Sequence, residues 1–494
     1  MPESGPTSPV HPLRHAPALL ALLLAAACAL NPVTGRRELA LVSEAQEIEM
    51  GREGAASVAA SIGLLPDVAL QSWVSSMGLA IAAKTERPRL PWEFKIVDDA
   101  SVNAFALPGG FIFVTRGLLT HMTNEAELAS VLGHEAGHVA ARHSVQQMSR
   151  EQIATLGLGI GGAISPTIAK YGQVASAGLG LMFLKYGRDD ETQADQLGFR
   201  YALAGGWDMR EMVSVFRMLQ LDSELAGGGR LPEWQSSHPD PGNRIAVTER
   251  MVNATTQGFA NTKVGGDEFL HRLDGMVYGE NPRLGFFVGT LFAHPDLKFT
   301  LRYPDGWATR NANDAVTAVS QAQDAMIELR GAEGSAAQAA QTFFAQEGLT
   351  AGTRTSVTIR SNPAVRGEFS AKTEAGGEVR GVAVFIEYGG ATWQLTAYTP
   401  TEKYATYTPA FERTIASFAR LTDAAALAVQ PSTVRITPAP RAMTLAQFNA
   451  ALPSRVPIAE LAMLNGMDAT TALRSGQLVK RVIGTPLPTT VNAP

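Results

Sequence analysis

The chain has 494 residues, enough for roughly three domains at about 150 residues each. Its 41 basic and 46 acidic side chains leave a net charge of −5, and basic runs are lacking, which argues against nucleic acid as a partner. Hydrophobic content, 45%, is ordinary for globular domains, and the single cysteine excludes an intramolecular disulfide.

In chain order, Arg14 and His15 precede an apolar run, Ala18 to Ala27, that ends in small residues before Cys28. The run is too short for a stable membrane span, so residues 1–27 read as an export signal. A signal ending at a lone cysteine points to lipidation of Cys28 and a bacterial lipoprotein. Ala25 stands where such a signal usually has leucine, so plain cleavage nearby with a free Cys28 is the alternative.

Asn103 to Leu107 reads as a strand, Gly109-Gly110 as a turn, and Phe111 to Val114 as the next strand. A peptide substrate can add to an exposed edge here, beside Asn103, Ala104 and Phe105, through backbone hydrogen bonds. An ordinary hairpin is the alternative.

Asn124 followed by Glu127 reads as a helix cap with its N3 partner. Leu128, Val131, Leu132 and Val139 recur at helical spacing, and helix formers run on to about Met148. Within that helix lies His134-Glu135-Ala136-Gly137-His138. Histidines at i and i+4 share one face, so both imidazoles can reach one tetrahedral zinc. Glu135 sits beside the first of them, where its carboxylate can take a proton from water as general base. Gly133 and Gly137 leave room for close packing around such a site.

Two glycine-rich apolar stretches, Ile153 to Ile168 and Ala175 to Phe183, follow. Neither reaches the roughly 20 unbroken apolar residues that cross a bilayer. A pair of helices folded over the cleft as a lid is therefore expected ahead of a spanning pair.

A second amphipathic segment begins at Glu191-Thr192-Gln193-Ala194-Asp195. Glu191 and Asp195 are i and i+4 and point the same way. Two histidines with Glu191 would make a catalytic zinc site, one ion per chain, with a fourth position for water. Asp195 would orient a ligand histidine through its other ring nitrogen. A solvated acidic face is the alternative.

Further on, Phe299 to Trp307 reads as an alternating strand ending at a tight turn. Val382 to Ile386 and Thr392 to Ala397, joined across Gly389-Gly390, read as a hairpin. Thr408-Pro409 reads as a helix start, with Phe411, Ile415 and Phe418 on one face. A Pro/Thr/Ala-rich linker follows, then a small unit, and the tail after Thr485 is expected to be disordered.

The pentapeptide with Glu-x-x-Ala-Asp about 50 residues later resembles the gluzincin family of envelope zinc endopeptidases. That family includes the CAAX prenyl endopeptidases, the HtpX heat-shock proteases and the periplasmic β-barrel assembly-enhancing proteases. Three more segments carry the resemblance: Asn103 to Gly110, His238-Pro239-Asp240-Pro241 with Arg244, and Asn31 to Gly35 with Ser43 to Glu47. It covers residues from about 29 to 260. It implies His134, His138 and Glu191 as zinc ligands and Glu135 as general base. It also implies catalytic roles for His238 and Arg244, as cations near the developing oxyanion. In some members of the periplasmic branch the histidine matching His238 can instead reach the zinc and close the site, and capping of a loop by both residues is a further alternative.

Phe299 to Trp307 also resembles the PsbP/Mog-type fold. Leu461 to Asn465 with Leu473 to Lys480 resembles the second half of a LysM module, which implies peptidoglycan as a partner. The first half lacks the usual Gly-Asp before Thr444-Leu445, so a small packing module is the alternative.

The expected class is α+β. A mainly helical zinc-metallopeptidase domain with a small sheet (28–275) precedes an α+β accessory domain (284–425), a linker (426–440), a LysM-like module (441–484) and the tail (485–494). The resemblance implies an endopeptidase acting on unfolded or misassembled envelope proteins in the bacterial periplasm, anchored to the outer membrane through Cys28. A chaperone-like or scaffold protein with a closed zinc site is the other class, and it has no need of an intact Glu135.

Overall fold

A computed structural model of the chain describes residues 28–157, 185–225, 238, 241–256, 258–372 and 377–492. The expected leader, most of the expected lid, and Pro239 and Asp240 lie outside the described residues.

The first part opens with a small antiparallel pair, β1 (Cys28–Leu30) and β2 (Arg37–Leu39). Helix α1 (Glu44–Ser61) starts at a capping box, in which Ser43 accepts from the Gln46 backbone and the Gln46 side chain bonds back. Helix α2 (Val68–Ala82) is capped by Asp67. A three-stranded sheet follows, β3 (Glu93–Val97), β4 (Ala104–Leu107) and β5 (Phe111–Thr115), in the order β3-β5-β4. β5 lies parallel to β3 and antiparallel to β4, so β4 is an edge strand, and it packs beside the central helix.

Helix α3 (Arg116–His121) leads to that helix, α4 (Glu125–Ala140). Asn124 caps α4 by accepting from the Glu127 backbone at 2.9 Å, as its sequence suggests. Every residue of α4 is buried. The helix is therefore enclosed on all sides, its polar residues included, and is a core element.

The chain does not continue as helix to Met148. Arg142 takes a left-handed backbone conformation, φ 60°, and a new helix, α5 (His143–Gly157), starts there. The Arg142 guanidinium holds this turn by donating to Glu47 and to the Val42 carbonyl, both at 2.9 Å. Arg87 reaches the same carboxylate at 2.7 Å and also donates to the Val139 carbonyl at 2.9 Å. Asn31 donates to the Ala141 carbonyl at 3.1 Å. The Arg87 and Asn31 bonds add side-chain donors to the Val139 and Ala141 carbonyls where the ladder of α4 ends.

Helix α6 (Arg188–Ala204) lies against α4 at glycine contacts. A Cβ on Gly198 would sit 2.5 Å from the His134 nitrogen, and one on Gly133 would sit 2.7 Å from the Gly198 carbonyl oxygen. Only glycine permits this approach, which brings the two helix backbones together beside the histidines. Helices α7 (Glu211–Leu225), α8 (Pro241–Ala254) and α9 (Gly266–Leu273) complete this part.

The second part is built on a seven-stranded antiparallel sheet in the order β12 (Leu349–Ile359), β13 (Asn362–Lys372), β14 (Glu378–Tyr388), β15 (Ala391–Pro400), β11 (Met326–Ala332), β10 (Ala315–Val319), β9 (Ala308–Asn311). A second sheet has the order β16 (Ala419–Arg420), β8 (Phe299–Arg302), β7 (Leu291–His294), β6 (Phe286–Val288). Helix α10 (Ala336–Phe344) covers one apolar cluster, and α11 (Tyr404–Ser417) contributes to another with Phe411 and Ile415. The expected hairpin across Gly389-Gly390 is present as β14 (Glu378–Tyr388) and β15 (Ala391–Pro400). Helix α11 starts at Tyr404, ahead of the expected Thr408, and carries Pro409 inside.

Residues 426–440, expected as linker, include β17 (Thr433–Pro438), which pairs antiparallel with β20 (Leu478–Ile483). Val434, Met463, Leu464 and Val482 enter the same apolar core as α4. Lys480 is buried there and donates to the carbonyls of Thr120 and Met122 at 2.9 and 2.7 Å. The last unit is thus pinned at the entrance of α4 by a lysine whose burial pushes its pKa down to about 7. No helix among the described residues is long and apolar enough to cross a membrane.

Candidate metal centre

Helices α4 and α6 present His134, His138, Glu191 and Asp195 to one another, and the segment entering α8 adds His238. One donor atom each from His134, His138, Glu191 and His238 lies within 4.8 Å of the others, and all four residues are buried. His138 Nε2 is 3.0 Å from His134 Nε2 and 3.3 Å from Glu191 Oε1. His134 Nε2 is 3.6 Å from Glu191 Oε2. Two imidazoles and a carboxylate converging in this way form a donor set suited to zinc.

His238 stands inside this group. Its Nδ1 lies 2.9 Å from Glu191 Oε1 and 3.3 Å from His134 Nε2. Its Nε2 is 3.7 Å from Glu135.

Behind the donors is a second layer. His134 Nδ1 meets Asp195 Oδ1 at 2.9 Å. Arg244 grips the Asp195 carboxylate with two bonds, Nη2 to Oδ1 at 2.6 Å and Nε to Oδ2 at 2.8 Å. Its Nη1 is 3.1 Å from Glu191 Oε2, and its guanidinium lies over the Phe216 ring at 4.4 Å. This two-pronged geometry fixes Asp195, which in turn fixes the imidazole of His134.

Glu135 is fully buried, and neither carboxylate oxygen has a hydrogen-bond partner among the described residues. Burial raises its pKa above the usual carboxylate range. An unpartnered buried carboxylate is costly, and one facing a metal-type donor set fits a base that acts on water there. Burial also opposes ionisation of Glu191, but the charge of His238 and its hydrogen bond to the carboxylate outweigh it, so the carboxyl lies well below its usual range. Burial pushes His138 well below the histidine range, which leaves it neutral. Burial works the same way on His238, yet the Glu191 carboxylate reverses it and raises its pKa.

Three contacts here are absent from the sequence reading. Tyr186 stacks on His138 at 3.9 Å between ring centroids. His143 Nδ1 lies 2.9 Å from His138 Nδ1, and His143 Nε2 lies 2.8 Å from Gln193 Oε1. A helix continuing to Met148 would turn His143 away from His138, so only the break at Arg142 brings it back.

The residues expected at a substrate edge are elsewhere engaged in part. Ala104 and Phe105 lie in β4, and the Phe105 ring stacks on Phe113 in the core at 5.2 Å. Asn103 pairs through its backbone with Thr115, while its side-chain oxygen is buried without a partner among the described residues. The Cys28 backbone opens β1, paired with Leu39.

Residues 69–252 match Peptidase family M48. The β-barrel assembly-enhancing protease of Yersinia pestis is 30% identical over 234 residues, 45% of this chain and 47% of that protein. The mitochondrial metalloendopeptidase OMA1 of Bos taurus is 32% identical over 169 residues, 33% of this chain and 32% of that protein. The chain thus spans about half, or less, of the length of these curated relatives. Among solved structures, that of cyanobacterial PsbP (CyanoP) from Synechocystis sp. PCC 6803 covers 27% of this chain and 94% of its own. Its identity is 13% and its TM-score 0.23, too low to carry a fold argument.

Proposed function

We propose, from the match of residues 69–252 to Peptidase family M48 and the similarity to β-barrel assembly-enhancing proteases, that the chain is a zinc-dependent endopeptidase that hydrolyses peptide bonds of unfolded or misassembled cell-envelope proteins. The observation that carries this reading is the buried group of His134, His138 and Glu191 with Glu135 beside it, its carboxylate without a hydrogen bond among the described residues.

In this reading His134, His138 and Glu191 hold the ion. Zinc, when bound, supplies Lewis acidity to water and to the peptide carbonyl. Glu135 takes a proton from the attacking water and hands it to the leaving amine. Its raised affinity for protons, a result of burial, suits both transfers. Asp195 and Arg244 work through His134 and Glu191 as positioning residues, because the guanidinium is bonded to the two carboxylates. An extended substrate adding through backbone hydrogen bonds to the edge strand β4 at Ala104 and Phe105, next to Asn103, would need that edge, whose residues are buried, to be uncovered first.

The position of His238 supports a closed resting site. With Nδ1 beside Glu191 and His134, it stands among the donors, where it would compete with water for the ion. Release of His238 would then precede cleavage, and the histidine would be free to face the developing oxyanion. The apolar run from Ala18 to Ala27 ahead of Cys28 supports a periplasmic location with a lipid anchor in the outer membrane, and the LysM-like segments support peptidoglycan as a partner.

Elemental analysis of the purified chain tests the reading. It predicts one zinc per chain, loss of caseinolysis on chelation, and recovery on adding zinc back. A chain without metal that cleaves casein contradicts it.

A further inference from the structure

The ring of His138 is held from the side opposite the donor group by a residue that the proposed chemistry does not use. His143 is 1% exposed, and its Nδ1 meets His138 Nδ1 at 2.9 Å. On its other edge, Nε2 meets the amide oxygen of Gln193 at 2.8 Å. That oxygen only accepts, so His143 carries its proton on Nε2 and offers an unprotonated Nδ1. His138 must then donate from Nδ1, which leaves its Nε2 lone pair directed at His134 and Glu191.

The backbone is arranged to make this contact. Arg142 is a non-glycine residue in the left-handed region, at φ 60°, with its guanidinium bonded to Glu47 and to the Val42 carbonyl. A strained turn that is held by buried partners and delivers one side chain to a site is a mark of a functional constraint. Tyr186 closes the other face of the His138 ring by stacking, and its hydroxyl is tied to Ser144 at 2.9 Å.

We propose that His143 is the positioning residue for His138, with Gln193 setting the tautomer of both imidazoles, as Asp195 and Arg244 set that of His134. The inference rests on the metal reading above. It makes the helix break at Arg142 part of the site, and it assigns Gln193 a role that its place between Glu191 and Asp195 on α6 makes geometrically available.

Competition of the metal-free protein with a chromophoric chelator for zinc tests this without any measurement of hydrolysis. His143→Leu removes the acceptor and is expected to weaken zinc binding by roughly 10- to 100-fold. In His143→Asn the side-chain oxygen stands where Nδ1 was and accepts the same proton, so affinity stays within about threefold of wild type. Gln193→Leu frees the tautomer and falls between the two. Wild-type affinity in His143→Leu, or equal losses in the Leu and Asn variants, overturns the proposal. If His143→Leu loses its helical circular dichroism, the half-buried Gln193→Leu decides, and unchanged affinity there overturns it. A wild-type chain that takes up no zinc would instead overturn the metal reading on which the inference stands.

Discussion

The closest backbone approach in the site is also its most sensitive point. Gly198→Ala adds one carbon to α6, 2.5 Å from the His134 nitrogen and 2.8 Å from the Gly133 carbonyl carbon. Ordinary contact begins at 3.4 Å, and the atoms met are backbone, so no side chain can swing aside. The helices must part by roughly 1 Å, at a cost of about 1–3 kcal/mol for overpacking. The same displacement carries Glu191 away from His134 and His138, whereas donor-to-metal distances tolerate only about 0.2 Å. The variant is therefore expected to lose both thermal stability and zinc affinity. Gly331→Ala, where an added carbon meets nothing within 4 Å, is the control and should change stability by no more than about 0.5 kcal/mol. Thermal melts of the metal-free proteins with chelator competition measure both effects. Wild-type melting and zinc affinity in Gly198→Ala would refute the idea that the glycine contact sets the donor geometry.

Glu191→Ala should lower zinc content outright, whereas Asp195→Ala should weaken binding by roughly 10- to 100-fold. Full zinc affinity in the first would remove Glu191 from the donor set. His238→Ala should raise steady-state cleavage of an unfolded substrate by releasing the closed site. A rate roughly 100-fold lower would make His238 an oxyanion group instead. His121 is buried, donates from Nδ1 to the Gly117 carbonyl, and has its pKa lowered to about 4 by burial. Its folded-state pKa lies below the unfolded value near 6.5, so the stability it secures is present above that value and is lost as pH falls toward 4. The loss is about 2 kcal/mol at pH 5. His121→Asn, which retains a donor at the same place, should show a shallower fall in stability from pH 7 to pH 5, and an unchanged profile would contradict this.

The two pairs of site residues were legible in the sequence because helical spacing brings the members of each pair together, whereas joining one pair to the other takes the packing of α6 on α4 at Gly133 and Gly198. His134 with His138, and Glu191 with Asp195, are each one turn apart, and both pairs fall on helices of the structure. The cap at Asn124 was legible for the same reason, since its bond to Glu127 is local. The break at Arg142 was not, because its neighbours are good helix formers and the left-handed turn is held by Glu47 and Val42, about a hundred residues earlier. His143 was hidden with it. β17 was hidden by distance, as a Pro/Thr-rich run is a strand only once residues 478–483 pair with it. Lys480 reads as a surface lysine in isolation, and its burial depends on two carbonyls of the first part of the chain.

The most direct test compares wild type with Glu135→Gln. This exchange keeps the shape of a side chain that is fully buried and unpartnered, and it leaves His134, His138 and Glu191 in place. The account predicts equal zinc content in the two proteins and cleavage of casein by wild type alone, because the donors survive and the base does not. Equal cleavage by both would contradict it.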